Sequence, residues 1–570
     1  MADSAGFENT AVYQSTGGVA IMRAIRAYGI DTIFGIPGTH NLEFYRPLAE
    51  LGIRPVTTRH EQGAGYAADG WSQRTGLPGV VITTSGPGLL NVLSAAGTAF
   101  CESRPLLILS PGTPRGTGYQ DRGALHESKD PTGAAGAVVL WSRRVDSAAA
   151  AVEAVHEAFA LFEAGRPRPV HIEVPLDVLE EPAVVDEQDL ERRRTSRVAP
   201  DSVAVRAAAE LLGAASRPLI VAGGGAVPAA AAVGALAQRL GAPVVTTLNG
   251  KGVLPESHPL SLRAELRLAA TADLIRESDA VLVIGSKLGE AERWGNDFAP
   301  AGPVVRIDVD PGRIGTNATG VVAIVGDSRL AVPELVASLG AARAHRDADE
   351  VEAVRAAQRA EAAAFSPAVM RAADAITAAL PPEATVAGDS SQITYYGMTS
   401  TVLQDGPHRF LYMPAYATLG YGLPAAIGAA IAEPGVPSVC VLGDGALMFS
   451  VQELVTAVEQ GVDLTVVVVD NGGYREIREN EADRGIAPVG VDLRQPDWPL
   501  LADAFGGRGH AVTSAAAVGP TIAAAIAEPG VSLVHVPLHL FEAAGAQTGV
   551  STGASTTATA TTFSEERISA

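Results

Sequence analysis

The sequence predicts an α/β protein made of three doubly wound domains, each built on a parallel sheet. Short apolar runs that fit buried strands alternate with helical stretches along most of the chain. This order is typical of parallel sheets covered by helices. A chain of 570 residues is also too long for one hydrophobic core and fits about three domains. Charged segments divide the alternation into three blocks.

The three predicted domains span 12–185, 200–342 and 368–542. The strands of the first are predicted from "TIFGIP", "GVVITTS", "PLLILS" and "PVHIEVP", and a linker from "DEQDLERRRTSRVAPDS". The second has "RPLIVAGGG", "APVVTT", "DAVLVIGS" and "PVVRIDVD". A polar helical connection, "RDADEVEAVRAAQRAEAAAF", leads to the third. Residues 543–570 are rich in Ala, Thr, Ser and Gly, and we expect them to be disordered.

Composition restricts the classes of function. A hydrophobic content of 47% supplies ample core, and a net charge of −21 argues against binding of nucleic acid or anionic membranes. No apolar run approaches the roughly 20 residues that span a bilayer, and the acidic, polar N-terminus is unlike a signal peptide. Cys101 and Cys440 both lie in apolar surroundings. We therefore expect no disulfide and a cytoplasmic location.

A Gly-Asp-Gly turn in the third domain joins two predicted strands. "PSVCVL" precedes the turn, and "LTVVVV" follows a stretch that predicts one amphipathic helix. The apolar positions of that helix are Leu447, Val451, Leu454, Val455 and Val458. A strand, helix and strand of this length form a right-handed crossover in a parallel sheet. Since residues just past such strands face the ligand crevice, Asp444 and Asn471 should meet at one edge.

These two side chains indicate a metal bound to a phosphorylated ligand. Both offer hard oxygen ligands and neither Cys nor His is near, which favours Mg²⁺ or Ca²⁺ over zinc. Gly443 and Gly445 leave the turn open, and the N–H groups of the following helix would form an anion site. The alternative for the turn alone is an ordinary strand-to-helix connection.

The turn and its spacing resemble a known cofactor signature. "GDG" followed by 25 residues and Asn471 is similar to the thiamine-diphosphate motif. "TRHEQGAGYAADGWSQRTG" resembles the pyrimidine-binding segment of the same enzymes, "ATLGYGLPAAIGAA" the segment at the central ring of the cofactor, and "LNGKGVLPESHPLSL" their middle domain. The resemblance runs in order from about residue 15 to 540 and indicates the acetolactate synthase and pyruvate decarboxylase superfamily. It implies pyrimidine-binding, middle and diphosphate-binding domains.

The resemblance also implies the cofactors thiamine diphosphate and Mg²⁺, and roles for individual residues. Glu61 would protonate the aminopyrimidine ring, and Leu419 would hold the cofactor bent. Asp444, Asn471 and the Gly473 carbonyl would bind Mg²⁺, with Asp470 beside them. The further residues implied to contact the cofactor are Ser391, Gln392, Ala417 through its carbonyl, Gly443, Gly445, Ala446, Leu447 and Tyr474.

Two residues bear on the reaction that follows loss of CO₂. His126, in "GALHESKDPTG", stands where acetolactate synthases have Gln, and an imidazole can donate a proton near neutral pH. The alternative is a polar loop residue. Glu476, in "YREIRENE", lies one position from a catalytic Glu of pyruvate decarboxylases. It would act in protonation or pair with a cationic substrate tail. Three further acidic residues lie close to these two in the sequence: Glu127, Glu479 and Glu481.

Three functions fit these residues. The first is decarboxylation of a medium-length 2-oxo acid to an aldehyde, because "IFGIPGTHNLEFYRPL", "RHEQGAGYAADG", "ALHE" and "NGGYREIR" most resemble 5-guanidino-2-oxopentanoate (2-ketoarginine) decarboxylases. The second is a carboligase of the acetolactate synthase type. The third, a non-catalytic cofactor-binding or regulatory protein, would not need Glu61. A hydrolase at Ser390 or Ser391 is disfavoured because the nucleophile elbow is incomplete.

Two further expectations concern FAD and subunits. The middle domain lacks the Gly-Met-x-Gly turn that acetolactate synthases have, so FAD is not expected. Glu61 and Asp444 lie in different predicted domains. In the superfamily those two domains come from different subunits at each active site, so the resemblance implies a homodimer or a dimer of dimers.

Overall fold

The structure, a computed structural model, describes residues 12–118, 120–341 and 348–542. It contains three parallel sheets of six, five and six strands flanked by helices, which confirms the predicted fold class. The predicted tail, 543–570, lies outside the described residues. None of the helices in the described ranges combines the length and the hydropathy that a membrane crossing requires.

The first sheet has the strand order β3-β2-β4-β5-β7-β6. Its strands are β2 (Thr32–Gly35), β3 (Arg54–Thr57), β4 (Gly79–Ile82), β5 (Leu106–Gly112), β6 (Trp141–Arg144) and β7 (Val170–Pro175). A separate antiparallel pair, β1 (Val12–Thr16) with β8 (Pro182–Asp186), was not predicted. The helices are α1 (Gly17–Ala27), α2 (Leu42–Tyr45), α3 (Leu48–Leu51), α4 (Glu61–Thr75), α5 (Pro87–Glu102), α6 (Pro131–Gly136), α7 (Ala148–Ala164) and α8 (Leu176–Glu180). A 3-10 helix, Glu187–Leu190, begins the predicted linker, and its Leu190 packs into the core.

The second sheet has the order β10-β9-β11-β12-β13. Its strands are β9 (Pro218–Ala222), β10 (Val244–Thr246), β11 (Ala280–Ile284), β12 (Val304–Asp308) and β13 (Val321–Val325). The α-helices are α9 (Ser202–Ala214), α10 (Ala230–Leu240), α11 (Ala269–Arg276), α12 (Glu290–Arg293) and α13 (Ser328–Ser338). The 3-10 helices are Gly224–Ala229, Leu248–Gly250 and Pro311–Arg313. A separate apolar cluster lies on each face of this sheet.

The third sheet has the order β15-β14-β16-β17-β19-β18. Its strands are β14 (Thr385–Gly388), β15 (Phe410–Leu411), β16 (Ser438–Gly443), β17 (Leu464–Asp470), β18 (Arg508–Ala511) and β19 (Val531–Pro537). The α-helices are α14 (Ala348–Phe365), α15 (Pro367–Thr377), α16 (Thr399–Thr401), α17 (Gly422–Ala432), α18 (Asp444–Leu447), α19 (Glu453–Gln460), α20 (Arg475–Asp483), α21 (Trp498–Ala504) and α22 (Val518–Ala527). A π-helix spans Ile393–Met398, and 3-10 helices span Ala515–Ala517 and Leu538–Phe541.

The single helix predicted after the Gly-Asp-Gly turn is wrong, because the structure has two helices there, α18 and α19. The N–H groups of Phe449 and Ser450 donate to carbonyls three residues back, at 3.2 Å and 2.9 Å, which ends the first helix. The chain then turns so that Phe449 lies against Gly420, where an added Cβ would be 2.8 Å from the Phe449 Cβ. The break is therefore a packing requirement that helical periodicity does not reveal.

One continuous apolar core joins the first and third sheets, and helices α4 and α17 meet within it. The two helices approach closely through glycine. A Cβ on Gly70 would lie 2.1 Å from the Ala425 carbonyl oxygen, and one on Gly428 would lie 1.9 Å from the Ala67 carbonyl oxygen. This contact fixes the position of the residue that begins α4, which is Glu61. The predicted limits of the three domains stay predictions.

Candidate active site

The three predicted metal ligands lie together at the carboxyl edge of the third sheet. Asp444 follows β16 and Asn471 follows the adjacent strand β17. The end of the Asn471 side chain lies 2.9 Å from the Gly473 carbonyl oxygen and 3.2 Å from Asp444 Oδ1. If the Asn471 amide oxygen faces the Gly473 carbonyl and Asp444 Oδ1, three oxygens converge. If the amide nitrogen faces them instead, it donates a hydrogen bond to each. Which orientation holds depends on whether a cation lies between them.

The electrostatics of this edge favour a cation. Asp444 is 1% exposed, and its Oδ2 atom has no hydrogen-bond partner within the described ranges. Burial, reinforced by the charge of Asp470, raises the pKa of Asp444 to about 6. Asp470 itself accepts hydrogen bonds from His535 Nε2 at 3.0 Å and from the Gly472 N–H at 2.9 Å. An orphaned, buried carboxylate oxygen beside two other oxygens fits a divalent metal ion.

The glycines of the turn allow close approach by neighbouring side chains. A Cβ on Gly443 would lie 3.1 Å from the Ser391 Cβ, and one on Gly445 would lie 2.9 Å from the Tyr474 ring. The next two residues, Ala446 and Leu447, are buried beneath the turn. The sequence predicted an anion site at the start of the helix that follows this turn. In the structure that helix is α18, which is four residues long.

The segment after β14 lies beside the same edge. Ser391 Oγ is 3.2 Å from Thr394 Oγ1. The Gln392 amide does not stand free for a cofactor, because Nε2 donates to Glu476 at 3.0 Å and to Glu479 at 2.7 Å. The structure therefore brings Gln392 and Glu476 together, an association that the sequence did not predict.

The loop that carries Ala417 and Leu419 is held by a buried carboxylate. Ala417 has a φ of 51°, in the left-handed region, and Leu419 is half-buried. Asp389 accepts the N–H groups of Gly420 and Gly422 at 3.2 Å and 2.7 Å. Burial raises the pKa of Asp389 to about 7. Asp389 was missed at the sequence level because it lies 31 residues from its partner Gly420.

Glu61 begins helix α4 and is 7% exposed. Asn91 Nδ2 donates to its Oε2 atom at 2.9 Å, so Oε1 faces away from this bond. Glu453, from the third sheet's α19, is fully buried and accepts the Arg59 N–H through both oxygens at 3.1 Å. Neither Asn91 nor Glu453 was predicted. The one sequence feature that could have indicated Asn91 was the stretch "SGPGLLN", which ends in Asn91 and follows a predicted strand.

His126 lies near Glu61 with a second histidine. Its Nδ1 atom is 3.5 Å from Thr84 Oγ1, and its ring centroid is 5.2 Å from that of His40. A Cβ on Gly88 would lie 2.9 Å from Thr84 Cγ2 and 3.1 Å from Glu61 Oε1, so the same turn separates Glu61 from His126. Burial, with the charge of His126 second, lowers the pKa of His40.

The two groups of predicted residues line separate cavities. His126 and His40 line one of about 130 Å³, with Ser85 Oγ lying 2.6 Å from His40 Nδ1. Asn471 and Gly473 line another of about 340 Å³. The two cavities share no lining residue. Glu61 and Asp444 line neither cavity. The predicted residues of one chain therefore form two groups, one at the first sheet and one at the third, which we call half sites.

Both half sites lie in segments that match protein-family models. Residues 15–133 match the thiamine pyrophosphate enzyme N-terminal TPP binding domain. Residues 205–335 match the central domain of the same enzymes, and 392–536 match their C-terminal TPP binding domain. Glu61 lies in the first match, and Asp444 and Asn471 lie in the third.

Curated relatives align with most of the chain. A probable 2-ketoarginine decarboxylase, AruI of Pseudomonas aeruginosa, is 40% identical over 496 residues, which are 86% of this chain and 88% of that protein. The acetolactate synthase large subunit of Parasynechococcus marenigrum is 32% identical over 561 residues, or 93% and 89% of the two chains. The acetolactate synthase isozyme 1 large subunit of Escherichia coli is 29% identical over 484 residues, or 82% and 84%. With its three domains matched in order, the chain belongs to the thiamine pyrophosphate enzyme family.

Proposed function

We propose that the protein decarboxylates a 2-oxo acid to an aldehyde and CO₂, with a 2-ketoarginine-like acid as the first substrate to test. The observation that carries the proposal is the pair His40 and His126 beside Glu61, with ring centroids 5.2 Å apart. Imidazole can supply the proton that converts the decarboxylated carbon into an aldehyde. The relative that is 40% identical is named a probable 2-ketoarginine decarboxylase, which supports the same reaction.

The oxygens at the third sheet suit Mg²⁺. Octahedral ligands at about 2.0–2.1 Å from Mg²⁺ lie about 2.9 Å apart along an edge. The Asn471 side chain and the Gly473 carbonyl are separated by 2.9 Å, and Asn471 and Asp444 by 3.2 Å. Asp444, Asn471 and Gly473 would therefore hold the ion that binds the diphosphate of the cofactor. Ser391 and Tyr474 flank the same turn.

The residues of the first half site control protons. When bound, thiamine diphosphate supplies an electron sink for the bond that breaks as CO₂ leaves. Glu61 Oε1, which is not the atom that Asn91 binds, would hold a proton against the aminopyrimidine ring nitrogen of the cofactor. The surroundings of Glu61 are nearly dry, which strengthens that hydrogen bond. His126 would then deliver a proton to the substrate carbon, and Leu419 would hold the cofactor bent.

The active enzyme is a homodimer or a dimer of dimers in this proposal. His126 and Asn471 of one chain line cavities without a common residue. The resemblance places the two half sites of an active site on different subunits, so a partner subunit would bring Glu61 to Asp444. Large apolar side chains near the half sites are exposed in the single chain, as they would be at an uncovered interface. They are Leu125, Met448, Phe449, Ile477, Ile486 and Val489.

The test is a panel of 2-oxo acids with purified protein, thiamine diphosphate and Mg²⁺. 2-Ketoarginine, pyruvate and an apolar 2-oxo acid are compared for CO₂ release and for the identity of the product. The expected result is one aldehyde for each CO₂ from a medium-length acid. Acetolactate as the main product from pyruvate would replace the decarboxylase with a carboligase. Absence of CO₂ from every acid would leave a non-catalytic role.

A further inference from the structure

A carboxylate without a cationic partner lies directly beyond the proposed metal loop. Glu476 is on α20, two residues after Tyr474. The neighbouring arginines of that helix are engaged elsewhere, since Arg475 pairs with Glu479 and Glu542, and Arg478 pairs with Asp492. Across residues 12–118, 120–341 and 348–542, no Lys, Arg or His forms an ion pair with Glu476. Within the described residues, the Glu476 carboxylate is therefore held by neutral groups alone.

Three neutral donors hold this carboxylate in one orientation. Tyr395 donates its O–H to Glu476 Oε2 at 3.1 Å, and Tyr396 donates to the same atom at 3.1 Å. Gln392 Nε2 adds a third hydrogen bond at 3.0 Å. Burial and, next, the charge of Glu476 raise the pKa of both tyrosines, which keeps the phenols protonated. In all three contacts the carboxylate is the acceptor.

Aromatic rings form a wall beside the carboxylate. The Tyr396 ring stacks on Phe365 with centroids 5.6 Å apart, and Tyr395 meets Tyr396 edge-on at 4.7 Å. Trp294 closes the group at 5.7 Å from Tyr396. The wall already accommodates a guanidinium, because that of Arg267 lies 4.6 Å from the Trp294 ring centre. A carboxylate beside aromatic faces is the combination that recognises a planar cation.

We propose that Glu476 determines substrate specificity by pairing with the guanidinium tail of a 2-oxo acid, with Tyr395, Tyr396 and Gln392 as positioning residues. The inference rests on the proposed decarboxylase function and names the part of the site that would select its substrate. It also decides between the two roles that the sequence left open for Glu476. A proton donor would serve every 2-oxo acid alike, whereas a charge receptor serves only those with a cationic tail.

The test compares two acids of equal length, 5-guanidino-2-oxopentanoate and the neutral 5-ureido-2-oxopentanoate. Glu476→Gln should lower kcat/KM for the guanidino acid by about 10- to 100-fold, the range of one charged hydrogen bond, and change the ureido acid by less than about threefold. Asp483→Asn, which removes the same charge from an exposed position of α20, should leave both values unchanged. Tyr396→Phe keeps the carboxylate and should give a smaller loss, confined to the guanidino acid. Equal losses on both acids, or no loss on the guanidino acid, would overturn the proposal.

A binding measurement separates this inference from the reaction itself. 5-Guanidinopentanoate has no oxo group to react, and its dissociation constant is measured by calorimetry with protein loaded with thiamine diphosphate and Mg²⁺. Glu476→Gln should weaken binding by the same factor. If wild type releases no CO₂ from either acid but Glu476→Gln binds 5-guanidinopentanoate more weakly, the decarboxylase function is refuted. The role of Glu476 as the receptor of the guanidinium then stands. Equal binding by wild type and Glu476→Gln would refute the receptor.

Discussion

Subunit complementation tests whether the two half sites of one chain serve different active sites. Glu61→Gln should lower kcat by about 10²- to 10⁴-fold, the usual contribution of a general acid or base. Asp444→Ala removes one of three converging oxygens and should abolish metal-dependent activity. The two variants are co-expressed with different affinity tags, and the mixed dimer is isolated by using both tags in sequence. In that dimer one site receives intact Glu61 from one chain and intact Asp444 from the other, while the second site receives both substitutions.

The expected activity follows from the number of intact active sites in each dimer. The mixed dimer should have about half of the wild-type activity per dimer, and an unsorted equal mixture about a quarter. A matched control pairs Glu61→Gln with a chain that carries both substitutions, because neither of its sites then has Glu61. A mixed dimer as inactive as its parents would mean that Glu61 and Asp444 act within one chain, and the inference that a partner subunit completes each site would be wrong.

The remaining predictions concern the proton donor, the backbone, a half-buried acid of α12 and flavin. His126→Gln should slow aldehyde release more than CO₂ loss, seen by assaying both products; equal slowing would remove His126 as donor. Ala417→Gly should raise the free energy of unfolding by at most about 1 kcal/mol in urea titrations, since relief of a left-handed Ala, roughly 1–2 kcal/mol, is partly offset by chain entropy. Burial, with the charge of Glu102 second, raises the pKa of Glu292 from 4.5 to about 7. Wild type should therefore lose stability as pH rises between these values. Glu292→Gln should lose less, by up to about 3 kcal/mol before any discount for screening, and keeps the loss due to Asp389 and Asp444. Melting temperatures at about pH 5 and pH 8 test this, with exposed Glu290→Gln expected to behave as wild type. Purified protein should show no flavin absorbance, and stoichiometric flavin would favour acetolactate synthesis.

The sequence predicted the parts of the site that depend on strand order. "PSVCVL" and "LTVVVV" are recognisable as buried strands, and a crossover of that length makes them neighbours, so Asp444 and Asn471 had to meet. The contacts of Asp389 with Gly420 and of Glu453 with Arg59 could not be predicted in this way. They join segments that are remote in the chain, and no local pattern records which carboxylate will accept which N–H group.

The helix break after the Gly-Asp-Gly turn has the same origin. The spacing of Leu447, Val451 and Leu454 fits one continuous helix, and nothing local opposes it. The break at Phe449 is imposed by the loop around Gly420, which belongs to a different part of the fold. Local periodicity therefore predicts the burial of Leu447 and Leu454 correctly and the helix length incorrectly, and it misses the burial of Glu453 and Thr456.

The break also connects the two half sites of a chain. Glu453 begins α19 nine residues after Asp444, and its carboxylate holds the Arg59 N–H just before Glu61. Gly63 must be glycine for this contact, because a Cβ there would lie 2.6 Å from Glu453 Oε1. In the proposed dimer Asp444 and Glu61 of one chain belong to different active sites. A shift of the segment after Asp444 in one site would then move α19 and, through Glu453, the start of α4 in the other.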